Sequence, residues 1–142
     1  MNRKILIAST LAFAASTALA SSAFAEKLMM KVALSAASEV PANASPGTGS
    51  AVVTFDTATK LLTWKVAYSG LTGPATMAHF HGPAEAGKNA AVTVPFPSPA
   101  SGVEGSATLT DAQAADLLAG KYYINVHTDA NKGGEIRGQV TK

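Results

Sequence analysis

Residues 61–69 read LLTWKVAYS. Leu62, Trp64, Val66 and Tyr68 recur at every second position, set against Thr63, Lys65 and Ser69. A strand turns successive side chains to opposite faces, so this alternation predicts a β-strand with one buried face and one wet one. The pattern recurs on both sides. In LMMKVALSA it selects Leu28, Met30, Val32 and Leu34, and in SAVVTFD it selects Val53 and Phe55. VEGSATL sets Val103, Ala107 and Leu109 against Glu104, Ser106 and Thr108. EIRGQVT sets Ile136 and Val140 against Glu135, Arg137 and Gln139. Half-buried strands of this kind belong to antiparallel sheets.

The intervening segments carry turn chemistry: PANASPGTG, DTATK and SGLTGP. The longest irregular stretch runs from Gly82 to Gly102, where Pro95, Pro97 and Pro99 favour polyproline-II or edge-strand geometry. One helix is predicted in TDAQAADLLAG. Thr110 is its N-cap, Gln113 completes a capping box, and Gly120 stands at the C-terminal stop. Six to eight short strands and one short helix, with no internal repeat, define an all-β fold. The architecture expected is an antiparallel Greek-key β-sandwich or barrel.

The chain opens with Arg3 and Lys4, continues through an apolar stretch from Ile5 to Leu19, and reaches Ala23-Phe24-Ala25. These are the parts of a secretory signal peptide over residues 1–25, which would leave 26–142 as one β domain. The expected address is the periplasm or outside the cell, with no membrane span once the signal is removed. Of the eleven lysines and arginines, the signal holds two; the remaining nine meet nine aspartates and glutamates. A neutral domain without a basic cluster argues against nucleic acid as a partner. The absence of cysteine excludes disulfides, thiol catalysis and Cys-based metal sites. Any metal must be held by His, carboxylate, Met or backbone.

Three histidines make up the whole supply. In TMAHFHG, Ala78 and Phe80 share one face, and Met77, His79 and His81 share the other. In YYINVHT, Tyr122, Ile124 and Val126 are the apolar set, with Tyr123, Asn125 and His127 opposite. If the two strands are neighbours, the imidazoles converge on the outer face of the sheet, where cross-strand Cβ atoms lie about 4.5–5.5 Å apart. Three neutral imidazoles suit copper or zinc, and affinity among first-row divalent metals peaks at copper. Met77 could add a thioether, and Asn125, Asp129 and Glu135 are candidate outer-shell partners that would fix imidazole tautomers.

AHFHGPAEAGKNA, the later LLAGKYYINVHTDANKGGEIRGQV and the opening LSAASEVPA resemble the recognisable blocks of the CHRD domain family, named after chordin. The resemblance covers Met30 to about Val140. It implies an exported, immunoglobulin-like β-sheet domain. A second, fainter similarity is to the Greek-key copper/zinc superoxide dismutases, which carry His-x-His on one strand, a later Val-His and a Gly-rich segment with an arginine. His79, His81, His127 and Arg137 in GGEIRGQV occupy the matching places. No histidine remains to bridge a second metal, so this resemblance implies a mononuclear site. It also implies that Arg137 attracts an anion such as superoxide.

Two readings of function follow. In one, the protein binds a copper ion through His79, His81 and His127, with superoxide-directed redox activity as a further step. In the other, it is a non-catalytic module that recognises an extracellular or periplasmic protein, with Phe96 of the Pro-rich loop TVPFPSPASG as a contact and no metal. No GxSxG elbow or phosphate-cradling Gly-rich loop points to another enzyme class.

Overall fold

The structure is a computed structural model, and it describes residues 25–142. The signal peptide expected over residues 1–25 lies outside these residues except for Ala25. Eight strands form: β1 (Lys27–Ser35), β2 (Thr48–Asp56), β3 (Leu61–Ser69), β4 (Ala75–His81), β5 (Val92–Pro95), β6 (Val103–Thr108), β7 (Tyr122–Thr128) and β8 (Ile136–Val140). One α-helix, α1 (Asp111–Leu118), links β6 to β7.

The strands join one antiparallel sheet in the order β5-β4-β7-β8-β1-β2-β3-β6. β1, β2 and β3 follow one another, whereas β4 lies at the far side of the order and β8 inserts between β7 and β1. These crossovers give the Greek-key character. The sheet also curls on itself. β3 and β4 each stand one strand in from opposite edges, yet the rings of Trp64 and Phe80 meet edge-on at 5.1 Å. Phe96, just past β5, stacks on Trp64 at 5.1 Å. The two ends of the sheet therefore share one core, and the result is a nearly closed barrel or sandwich.

Period two explains which residues fill that core. Met30, Val32 and Leu34 of β1 lie beside Ala51, Val53 and Phe55 of β2 and Leu62, Trp64 and Val66 of β3, all buried. Leu28 and Tyr68, expected in the same rows, are only half-buried at strand ends. Leu109, Ala114 and Leu117 bring α1 into the same core. The helix begins as its sequence predicts: Gln113 N donates to Thr110 Oγ1, and Thr110 N donates to Gln113 Oε1. Gly120 follows it with φ +73°, a left-handed conformation that costs glycine little.

Two expectations change. β5 is an edge strand, in keeping with its prolines, but Phe96 packs inward on Trp64 and Phe80 and is only half-exposed. It packs against the core. Alternation predicts half-buried strands for β7 and β8, yet every residue of β7 is buried, and Glu135 and Arg137 are enclosed with Ile136. The reason is a roof of loops over their second face. Asn43 Nδ2 donates to the Glu135 carbonyl, Gln139 Nε2 to the Ala84 carbonyl, and Asn125 Nδ2 makes a long 3.5 Å contact to the Gly133 carbonyl. No helix among the described residues is long and apolar enough to cross a membrane.

Candidate metal centre

β4 and β7 are hydrogen-bonded neighbours, with Met77 opposite His127, His79 opposite Asn125 and His81 opposite Tyr123. Side chains at these positions share one face by the parity of the strand, so the histidines from two strands meet. Their candidate ligand nitrogens all lie within 4.8 Å of one another. His79 Nδ1 is 3.3 Å from His127 Nε2. The face is not the open outer surface that alternation suggests. His81 is 8% exposed and His127 6%, while His79 is half-buried.

Two backbone carbonyls set the direction of the rings. His81 Nδ1 lies 2.9 Å from the Ala90 oxygen, and His127 Nδ1 lies 2.8 Å from the Lys132 oxygen. A carbonyl only accepts, so each Nδ1 carries the proton and each Nε2 keeps its lone pair. His81 Nε2 is buried with no hydrogen-bond partner among the described residues. Metal-binding histidines are held in this way, by a second ring nitrogen donating to a carbonyl or carboxylate.

Charge is disfavoured on His79 and His81. Burial, followed by the proximity of His127 and His81, lowers the His79 pKa to about 4. Burial also lowers that of His81, against the raising effect of its bond to the Ala90 carbonyl. These two rings are neutral at pH 7, the state in which imidazole donates to a metal.

Beside the cluster runs a stack. The His81 ring lies parallel to that of Tyr123, at 4.8 Å between centroids and 2° between planes. Arg137 Cζ sits 3.4 Å from the centroid of the same Tyr123 ring. β7 lies between β4 and β8, so His81 and Arg137 approach the tyrosine from opposite sides.

The supporting residues expected from sequence have separate fates. Asn125 is buried opposite His79, and it favours the charged form of His81 although its Oδ1 completes no hydrogen bond among the described residues. Met77 is on the correct face and 48% exposed. Asp129 is exposed, with no hydrogen bond to the histidines among the described residues. Glu135 makes no hydrogen bond to the histidines among the described residues and is committed elsewhere, because its carboxylate accepts from Ser45 Oγ, Thr128 Oγ1, Thr72 N, Thr72 Oγ1 and Asn131 Nδ2. Arg137 is 1% exposed and donates to Asn89 Oδ1 and the Lys88 carbonyl, so it does not reach out to an anion in solution. Ala90 and Lys132 carry no mark in the sequence, because any residue type offers a carbonyl. Tyr123 is visible there by parity alone.

Fold and cluster together define a small antiparallel β domain with three preformed imidazoles able to coordinate a metal ion. The CHRD domain family model matches residues 30–140, nearly all of the described chain, and the protein belongs to the CHRD family. No curated protein and no solved structure matches the chain. The cluster of His79, His81 and His127 could coordinate a metal ion.

Proposed function

We propose that this CHRD protein is an exported metal-binding protein that holds one copper ion through His79, His81 and His127, with zinc as the competing ion. The observation that carries the reading is the pair of carbonyl bonds that aim His81 Nε2 and His127 Nε2 away from the backbone within a cluster of three ligands. A histidine on a sheet surface needs no such arrangement. Copper is preferred because three imidazoles without a carboxylate form a nitrogen-only site, and affinity among divalent first-row ions is greatest for copper. Met77, on the same face and accessible, is the proposed fourth donor when the ion is Cu(I).

Binding ranks above turnover in this reading. Arg137 is committed to Asn89 and Lys88, which removes the cation that would draw superoxide inward. The deciding experiment is a calorimetric titration of the metal-free protein with Cu(II) and with Zn(II), accompanied by metal analysis. One tight equivalent, absent from a His79→Ala/His81→Ala/His127→Ala variant, is expected. Weak binding that the variant retains would overturn the proposal and return the protein to a recognition role. Superoxide dismutation is then assayed on the copper-loaded protein.

A further inference from the structure

Arg137 is a large buried cation with no carboxylate in salt-bridge contact among the described residues. Both terminal nitrogens are spent on a single stretch of chain: Nη2 donates to the Lys88 carbonyl at 2.6 Å and Nη1 to Asn89 Oδ1 at 3.0 Å. Asn89 in turn donates through Nδ2 to the Val40 carbonyl at 2.9 Å, which ties the stretch to a second loop. The next residue is Ala90. Its carbonyl accepts from His81 Nδ1, and its N–H donates to Tyr123 Oη at 3.1 Å. The arginine thus reaches His81 by two routes. One runs through Lys88 and Asn89 to the Ala90 carbonyl, and the other through the Tyr123 ring stacked on the imidazole.

A planar guanidinium suits this double duty, because its fork bonds two acceptors while its face lies on an aromatic ring. Lysine keeps the charge but can reproduce neither the fork nor the stack. We propose that Arg137 is a positioning residue for His81: it fixes the Ala90 carbonyl and the Tyr123 ring, and so holds His81 with its proton on Nδ1 and its Nε2 lone pair toward His79 and His127. The inference rests on the metal-binding reading for its purpose but not for its test. It assigns Arg137 a role inside the protein in place of the anion attraction suggested by its position in the sequence.

His127 supplies an internal control, since its Nδ1 is held by Lys132 at a different loop. The experiment records imidazole 1H–15N correlation spectra of the metal-free protein, in wild type, Arg137→Lys and Asn89→Ala, and measures zinc affinity in parallel. In wild type, His81 and His127 are both expected as the Nδ1–H form. In the variants, His81 is expected to become a mixture of tautomers while His127 is unchanged, and zinc affinity is expected to fall about 10–100-fold, as for other lost second-shell partners. Asn89→Ala decides the matter if Arg137→Lys does not fold, because Asn89 is exposed and its removal buries no new charge. A His81 ring that keeps Nδ1–H in the folded variants overturns the proposal, and so does a His127 ring that shifts equally. Failure of the wild type to bind zinc, with the His81 change still observed, would instead sink the metal reading and leave the positioning intact.

Discussion

His79 Nδ1 stands 3.3 Å from His127 Nε2. His127 has committed its proton to the Lys132 carbonyl, so in the metal-free protein His79 is the donor of this contact and His127 the acceptor. Two nitrogens bound to one tetrahedral ion at about 2.05 Å each would lie about 3.3–3.4 Å apart, so a metal can replace that proton at nearly the same nitrogen separation. The remaining ligand separations reach up to 4.8 Å and must close by up to about 1.5 Å, a ring rotation rather than a refolding. The site is therefore nearly assembled before the ion arrives. Zinc at about a hundredfold over its Kd should stabilise the protein by about 2.7 kcal/mol, which raises Tm by roughly 10 °C. Differential scanning fluorimetry checks this. A triple alanine variant that shows the same rise would place the metal elsewhere.

Glu135 predicts how the fold responds to acid. Burial by itself would raise its pKa, but donors from Ser45, Thr128 and Thr72 outweigh that and bring it down to about 2. A carboxylate whose pKa is lower in the folded state stabilises the fold above its unfolded value and loses that contribution as protons bind. Stability should accordingly decline as pH falls from about 4.5 toward 2. Urea titrations of wild type and Glu135→Gln across this range make the comparison. The variant is expected to be weaker by about 2–3 kcal/mol at pH 7, because an amide, with one acceptor oxygen, cannot accept from all the donors the carboxylate gathers. It should also show a shallower loss in acid; an equal slope would assign the acid response to other groups.

The parts legible in the sequence are those that depend on near neighbours along the chain. Parity places Val53, Trp64 and Val66 in the core and the three histidines on one face. The Thr110–Gln113 capping box is likewise a matter of three residues. What escapes the sequence is set by contacts across the fold. Arg137 and Glu135 read as the wet side of an alternating strand, but loops from residues around 40, 89 and 131 cover them. Burial of β7 on both faces has the same origin. The carbonyls that orient His81 and His127 are backbone atoms of Ala90 and Lys132, for which the side-chain identity says nothing.

Gly105 tests the joint between the two ends of the sheet. It pairs with Trp64 across β3 and β6, and a Cβ there would run into the indole at Cζ2 and Cε2. The ring cannot yield easily, being held by Phe80 on its edge and Phe96 on its face. Gly105→Ala should cost about 1–3 kcal/mol, the range for an overpacked core. Trp64 is the one tryptophan of the chain, so intrinsic fluorescence reports the site directly. A red shift is expected in the folded variant as the indole is pushed toward water. An unchanged spectrum and unchanged stability would mean that β6 moves away as a whole and that the edge is looser than the packing indicates.

The last prediction separates the two roles a histidine can play here. His127 is enclosed, and its ring satisfies both the Lys132 carbonyl and His79. His79 is half-buried, and His127 is its one side-chain hydrogen-bonding partner among the described residues. Without metal, His127→Ala removes an enclosed ring together with its bond to the Lys132 carbonyl and should cost about 2–3 kcal/mol, whereas His79→Ala should cost less than about 1 kcal/mol. With metal the wild type alone gains, since each residue supplies one of three ligands and neither variant should gain stability from zinc; both costs then rise by the same amount and their order is kept. Urea unfolding of both variants, with and without zinc, reads all four values. Equal costs in the metal-free proteins would contradict the anchoring of His127 by Lys132. A full zinc-induced gain in either variant would remove that residue from the ligand set.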